Sequence, residues 1–201
     1  MIEWRVLEVR GSSALLISRY GLDAKPYNEK RAAVTWETCS LRTWLNRDFL
    51  NKAFSGDEQE AILTTTVDNS ASQCFDFTTV DPESEKPDDG NNTQDKLFLM
   101  SYAEALQYFD VQLEEAAGAA GNMKSRVAPT AYAVKNGAVA FDDLRTADGA
   151  PAGWWWLRSP GGVKSMAVGV DLNGSLYYSF VNSGSGCVRP ALWVDLDSGM
   201  F

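Results

Sequence analysis

Apolar and polar side chains alternate from Glu3 to Val9, and a second extended stretch runs from Ala14 to Arg19, so both read as strands. Gly11-Ser12-Ser13 supplies the turn between them. Leu15-Leu16-Ile17 is apolar toward both faces, which places the second strand inside a sheet. The period then changes. Leu41, Trp44, Leu45 and Phe49 recur at helical spacing behind Ser40, an expected N-cap, and predict a helix to about Phe54. Ser55 with Glu58 and Ser101 with Glu104 match the capping box, in which two side chains satisfy each other's first-turn amides. They open a short helix through Ile62 and another carrying Ala105, Leu106 and Phe109. Lys96 to Met100 reads as a buried strand, Pro129 as the start of a short helix, and Asn136-Gly137 as its stop. Residues 68–95 show no apolar period and read as a loop or insertion.

The last third is β-rich. Met166, Val168 and Val170 alternate, as do Leu176, Tyr178 and Phe180, around a turn at Asp171–Ser175. A two-residue Asn173-Gly174 turn would pair Val170 with Tyr177. A three-residue turn with Gly174 left-handed pairs Val170 with Leu176 and Val168 with Tyr178, and gathers the six apolar residues on one face. A one-residue slip flips a whole face, so the second register is expected, with Tyr177 on the opposite side. The final strand is Ala191-Leu192-Trp193-Val194, entered through Pro190.

The chain of 201 residues suits a single domain, 1–201, with enough aromatic and aliphatic material for its own core. Its net charge is −9, and no Lys/Arg cluster exceeds two residues, so the basic stripe of a nucleic-acid binder is missing. Only a basic patch assembled by folding would alter that. No apolar run is long enough to span a bilayer. A cell-surface or secreted location is expected if the sequence is trimmed at its start, and a cytoplasmic one otherwise. The sequence contains no histidine, which removes His-dependent nucleophile systems and His-ligated metals. Cys39, Cys74 and Cys187 form no CxxC.

Several strings carry candidate chemistry. In a strand, Trp154 and Trp156 face one way and Trp155 the other, so either a ring is presented to a ligand or another segment covers the second face. Arg158 and Arg189 stand just before prolines, suited to binding a carboxylate or phosphate, or to bracing loop carbonyls. Asp88, Asp89, Asn91, Asn92 and Asp95 crowd oxygen donors of the kind calcium takes, without EF-hand spacing; the other reading is a solvated loop. No other cofactor is implied, and the adjacent carboxylates Asp142-Asp143 and Glu114-Glu115 point apart.

Five strings, from Ile2–Leu7, Cys39–Asn46, Asp95–Leu99, Trp155–Gly161 and Val188–Trp193, together resemble an uncharacterised bacterial domain family of gut Firmicutes. More distantly, the layout resembles the C-type lectin-like fold of formylglycine-generating enzymes and of retroelement variable proteins, which end in a string like Gly186-Cys187-Val188-Arg189-Pro190. This resemblance implies an α+β fold, with a twisted antiparallel sheet flanked by two or three helices, the terminal strands paired, and a ligand surface at 154–164 and 177–185. Within it, Trp154, Trp155, Arg158, Lys164, Tyr177, Asn182 and Arg189 would meet the ligand. The enzyme branch requires paired late cysteines, and Cys187 stands alone. The leading expectation is non-catalytic recognition of a glycan or protein. A histidine-free enzyme and a structural module of a larger surface protein are the alternatives.

Overall fold

The computed structural model describes residues 1–79, 81–84, 90–113 and 121–199. In chain order the strands are β1 (Trp4–Arg10), β2 (Ser13–Ser18), β3 (Asp23–Ala24), β4 (Ile62–Leu63), β5 (Thr65–Val67), β6 (Thr93–Asp95), β7 (Phe141–Arg145), β8 (Pro151–Ala152), β9 (Trp155–Pro160), β10 (Met166–Val170), β11 (Leu176–Phe180), β12 (Cys187–Val188) and β13 (Ala191–Asp195). The α-helices are α1 (Ser40–Trp44), α2 (Leu50–Ala53), α3 (Gly56–Ala61), α4 (Tyr102–Phe109) and α5 (Ala131–Lys135), and a π-helical turn, Leu45–Phe49, joins α1 to α2.

The architecture is mixed α+β. Where one antiparallel sheet is expected, the described residues build two larger sheets, β1-β2-β13-β4 and β11-β10-β9-β12-β3, and two two-stranded ones, β5-β6 and β7-β8. The chain's terminal strands do pair, β13 lying antiparallel between β2 and β4. One contact of the second sheet, Cys187 with Trp155, is parallel. The physical reason for two larger sheets lies in the connections. Pro190 has no N–H to give a ladder, so the run from Cys187 to Asp195 leaves one sheet there and enters the other. The segment after β2 makes the same crossing at its entry to β3. Ala14 to Ile17 is buried throughout, as two-sided apolarity predicts for a central strand.

The C-terminal hairpin takes the three-residue register. Val170 faces Leu176, Val168 faces Tyr178 and Met166 faces Phe180. Asp171 and Ser175 close the turn, and Gly174 has φ 92°. The expected single buried face is only partly realised. Val168, Val170 and Leu176 are buried, but Tyr178 and Phe180 lie on an outermost strand and stay 42% and 36% exposed.

Other expectations shift by a residue or more. Cys39, not Ser40, caps α1, its sulfur accepting from Arg42 N, while the Ser40 hydroxyl accepts from Glu29 N. Both capping boxes are present, at Ser55/Glu58 and Ser101/Glu104. Lys96 to Met100 is buried beyond Lys96 but contributes only one bridge, Phe98 to Ala191; the strand proper is β6. The described parts of 68–95, expected to be a loop or insertion, are anchored. Asn69 bonds to Asn91 O and Asn92 Oδ1, and Phe77 is buried edge-on to Tyr178.

Candidate functional site

A cleft of about 750 Å³ opens where the start of the chain, β3, the α1–α2 run and α5 meet. Its aromatic lining is Tyr20, Trp44, Phe49 and Tyr132; its polar lining includes Asp23, Lys25, Asp48, Lys52 and Asn136. The π turn inserts one extra residue per turn into the helix, a device that re-aims side chains and is common at functional sites. Here it begins directly after Trp44 and carries Asp48 and Phe49 into the wall. Asn46, within the same turn, donates to Leu97 O (2.8 Å) and accepts from Lys96 N and Leu97 N (3.0 Å each), which pins the turn to the core.

The rings are held in place. Trp44 packs against Phe49 with centroids 5.3 Å apart, and Lys25 Nζ lies 4.7 Å from the Trp44 ring centre. Lys52 Nζ stands 5.6 Å from that of Tyr132, which is 52% exposed. Asn136 Nδ2 donates to Asp23 Oδ1 at 2.7 Å, tying α5 to β3. Arg47 beside Asp48 holds the latter's carboxyl below the usual carboxylate range, so it stays ionised. The cleft therefore offers flat apolar faces interleaved with hydrogen-bonding groups of both signs.

The residues expected to meet a ligand are mostly elsewhere. Trp154, Trp155, Arg158 and Arg189 lie in the interior, each at most 7% exposed. The Trp rings do alternate as expected, Trp154 against Trp156 at 4.6 Å and Trp155 against Phe109 at 5.9 Å. Both faces are covered, one by Tyr27, which packs on Trp156, and the other by Phe109 of α4. Arg158 braces the fold. It binds Glu104 with two nitrogens (2.5 and 3.1 Å) and donates to Leu99 O, Asp68 O and Asn69 Oδ1. Arg189 lies between the Phe109 and Trp155 rings, 4.8 Å from each; its Nε donates to Ser18 O, and its Nη1 has no partner among the described residues. Burial, then the charge of Arg5, pull its guanidinium down to about 9. Lys164, Tyr177 and Asn182 are exposed, Tyr177 packing edge-on to Trp154 at 5.7 Å. The cleft includes none of the seven.

Of the oxygen-rich loop, Asn91, Asn92 and Asp95 lie among the described residues, and each is engaged with protein groups. Asp88 and Asp89 lie outside the described residues. Asp95 is buried and uses both oxygens, accepting from Trp36 Nε1 and Thr93 Oγ1 on one and pairing with Arg42 at 2.7 Å on the other. Asn91 donates to Glu37, and Asn92 Oδ1 accepts from Asn69 N. Among the described residues no group of three His, Cys, Asp or Glu is placed to hold a metal ion. Among them, too, no helix is long and apolar enough to cross a membrane.

The cleft residues carry weak sequence signals. Trp44 shares a helical face with Leu41, Leu45 and Phe49, which reads as core and nothing more. Tyr132 follows the Thr130 cap on a five-residue helix too short to show a period. Residues 11–196 match the model of a family described as a domain of unknown function, DUF6273. No curated protein and no solved structure matches the chain.

Proposed function

We propose that this chain, which belongs to the DUF6273 family of domains of unknown function, is a non-catalytic module that binds a glycan in the aromatic cleft. One observation carries the reading: the half-exposed Trp44 and the exposed Tyr132 are each met by a lysine on the ring face, beside Asp23, Asp48 and Asn136. Sugars present apolar C–H faces ringed by hydroxyls. A site for them needs flat rings with hydrogen-bond donors and acceptors at their edges, and large rigid rings give that contact at small entropic cost. A cleft of this size holds two to three sugar units rather than a broad protein epitope, which would bury about 800 Å² per partner on a flatter surface.

We also read the layout as C-type lectin-like and the family as bacterial; the pairing of β2 with β13 supports the former. The ligand surface then lies beside the terminal strands instead of on the hairpin loops.

The test is a glycan array probed with the intact chain, followed by calorimetry on each hit. Tyr132→Ala should weaken binding at least about tenfold, ~1.4 kcal/mol, with little change in melting temperature, because the ring is exposed. Trp44→Ala should abolish detectable binding at some cost in stability. Undiminished affinity in Tyr132→Ala and Trp44→Ala sinks the assignment, as does an array with no hit.

A further inference from the structure

Tyr20 lines a second cavity as well, of about 370 Å³, whose charged lining is Arg5, Arg19, Lys124, Arg126 and Asp148. Four cations facing one carboxylate is the reverse of the whole chain, which carries 27 acidic and 18 basic side chains. Arg19 is neutralised, since its two terminal nitrogens bind Glu3 and Asp148 at 2.8 Å each. Among the described residues Arg5, Lys124 and Arg126 enter no ion pair, Arg5 acting on the Asp148 carboxyl only at longer range.

Arg126 is nonetheless fixed. Its Nε donates to Asn173 O at 2.9 Å and its Nη1 to Arg145 O at 2.8 Å, so carbonyls orient the guanidinium and leave its charge uncompensated. Asp148 sits in the turn between β7 and β8, where its bond to Arg19 ties that turn to the segment after β2. The excess positive charge also reaches inward: the charge of Arg5 helps hold the buried Arg189 below its ordinary value. Like charges gathered in a cavity repel one another, and an anion placed among them removes that cost while accepting charge-assisted hydrogen bonds.

We propose that this cavity is a binding site for a small oxyanion group, a phosphate, sulfate or carboxylate, held by Arg5, Lys124 and Arg126 with Tyr20 as its wall. The assignment does not depend on what occupies the aromatic cleft. The two cavities share only Tyr20, so each can be emptied by substitutions that leave the other intact.

The experiment titrates the intact chain with inorganic phosphate, sulfate and glucuronate in turn, with sodium chloride at matched ionic strength as the control. Binding is followed by shifts of backbone amide resonances. The expected result is saturable shifts at residues 5, 19–20, 124–126 and 146–150 with at least one oxyanion and not with chloride. The anion with the lowest Kd assigns the class, tetrahedral dianion or planar carboxylate. Arg5→Gln and Lys124→Gln, both at exposed positions, should each weaken that anion at least about fivefold while leaving any glycan binding in the cleft unchanged. Arg126→Gln should weaken it further. Equal shifts with chloride, shifts spread over the whole surface, or an unchanged Kd in both exposed variants would overturn the proposal. Trp44→Ala leaves the anion Kd unchanged if the site is as assigned.

Discussion

Two arginines, both within 2% of full burial, illustrate how differently the same side chain can stand in a core. Arg158 has donors matched one by one to a carboxylate, two carbonyls and an amide oxygen. Glu104 in turn caps α4 by accepting from Ser101 N at 2.8 Å, so one carboxylate serves both a helix start and a buried ion pair. Removing the cation leaves Glu104 and those carbonyls without a donor, and breaking a buried pair of this kind costs roughly 3–5 kcal/mol. Arg189 leaves Nη1 unmet, and its charge is disfavoured by burial. Replacing such a group by an apolar one of similar length is often neutral. Arg158→Met should therefore lower unfolding stability in urea by about 3–5 kcal/mol, and Arg189→Met by less than about 1. Equal losses in the two variants would refute this division. Neither role is legible in the sequence, because each arginine precedes a proline in a similar string and only the partners, 54 to 171 positions away, separate them.

Elements were legible where their signals are local. Both capping boxes, the end of the first helical run at Phe54 and the hairpin register follow from neighbours within a few positions. The π turn and the anchoring of 68–79 were not legible, since Asn46 and Phe77 owe their roles to Leu97 and Tyr178. The exposure of Tyr178 likewise depends on strand order, which alternation does not encode. The hairpin turn provides a test at this scale. Gly174 combines φ 92° with close packing: an added Cβ would run into Asn122 O and come within 2.5 Å of Ser125 Oγ. Gly11 also has positive φ, 57°, but an added Cβ would meet nothing within 4 Å. Gly11→Ala should cost only the left-handed backbone penalty, roughly 1–2 kcal/mol. Gly174→Ala should exceed it clearly, because carbonyl and hydroxyl must also move. Thermal unfolding of the two variants decides the matter, and similar losses would show that the β10–β11 turn yields freely.

At the scale of the whole molecule, stability should fall in alkali. Burial pushes the Cys39 and Cys187 thiols up to about 12 and raises the fully buried Tyr27 well above its ordinary value. In the unfolded chain the thiols lose their protons near pH 8.5. Their contribution is thus complete below that pH and is lost as pH climbs toward 12, by up to about 1.4 kcal/mol per unit for each thiol. Arg189 acts with the opposite sign, because its folded value of about 9 lies below the unfolded one; the unfolded chain then holds more protons and stability rises with pH over the same window. Two thiols and a phenol outweigh one guanidinium, so urea midpoints should decline from pH 9 to 11, more steeply in Arg189→Met and less so in Cys187→Ala. A flat profile in the parent chain would contradict these burial effects. The pairing of β2 with β13 has a further consequence, for synthesis. One edge of the apolar run Ala14 to Ile17 pairs with the neighbouring β1, but the other finds its partner only at Ala191 to Val194. At ~5–20 residues per second, roughly 9–35 seconds separate the two on the ribosome. Throughout that interval the nascent chain displays an apolar, uncharged β2 edge without its β13 partner, so β2 is where a holding chaperone would be needed, and this sheet closes only once β13 joins it.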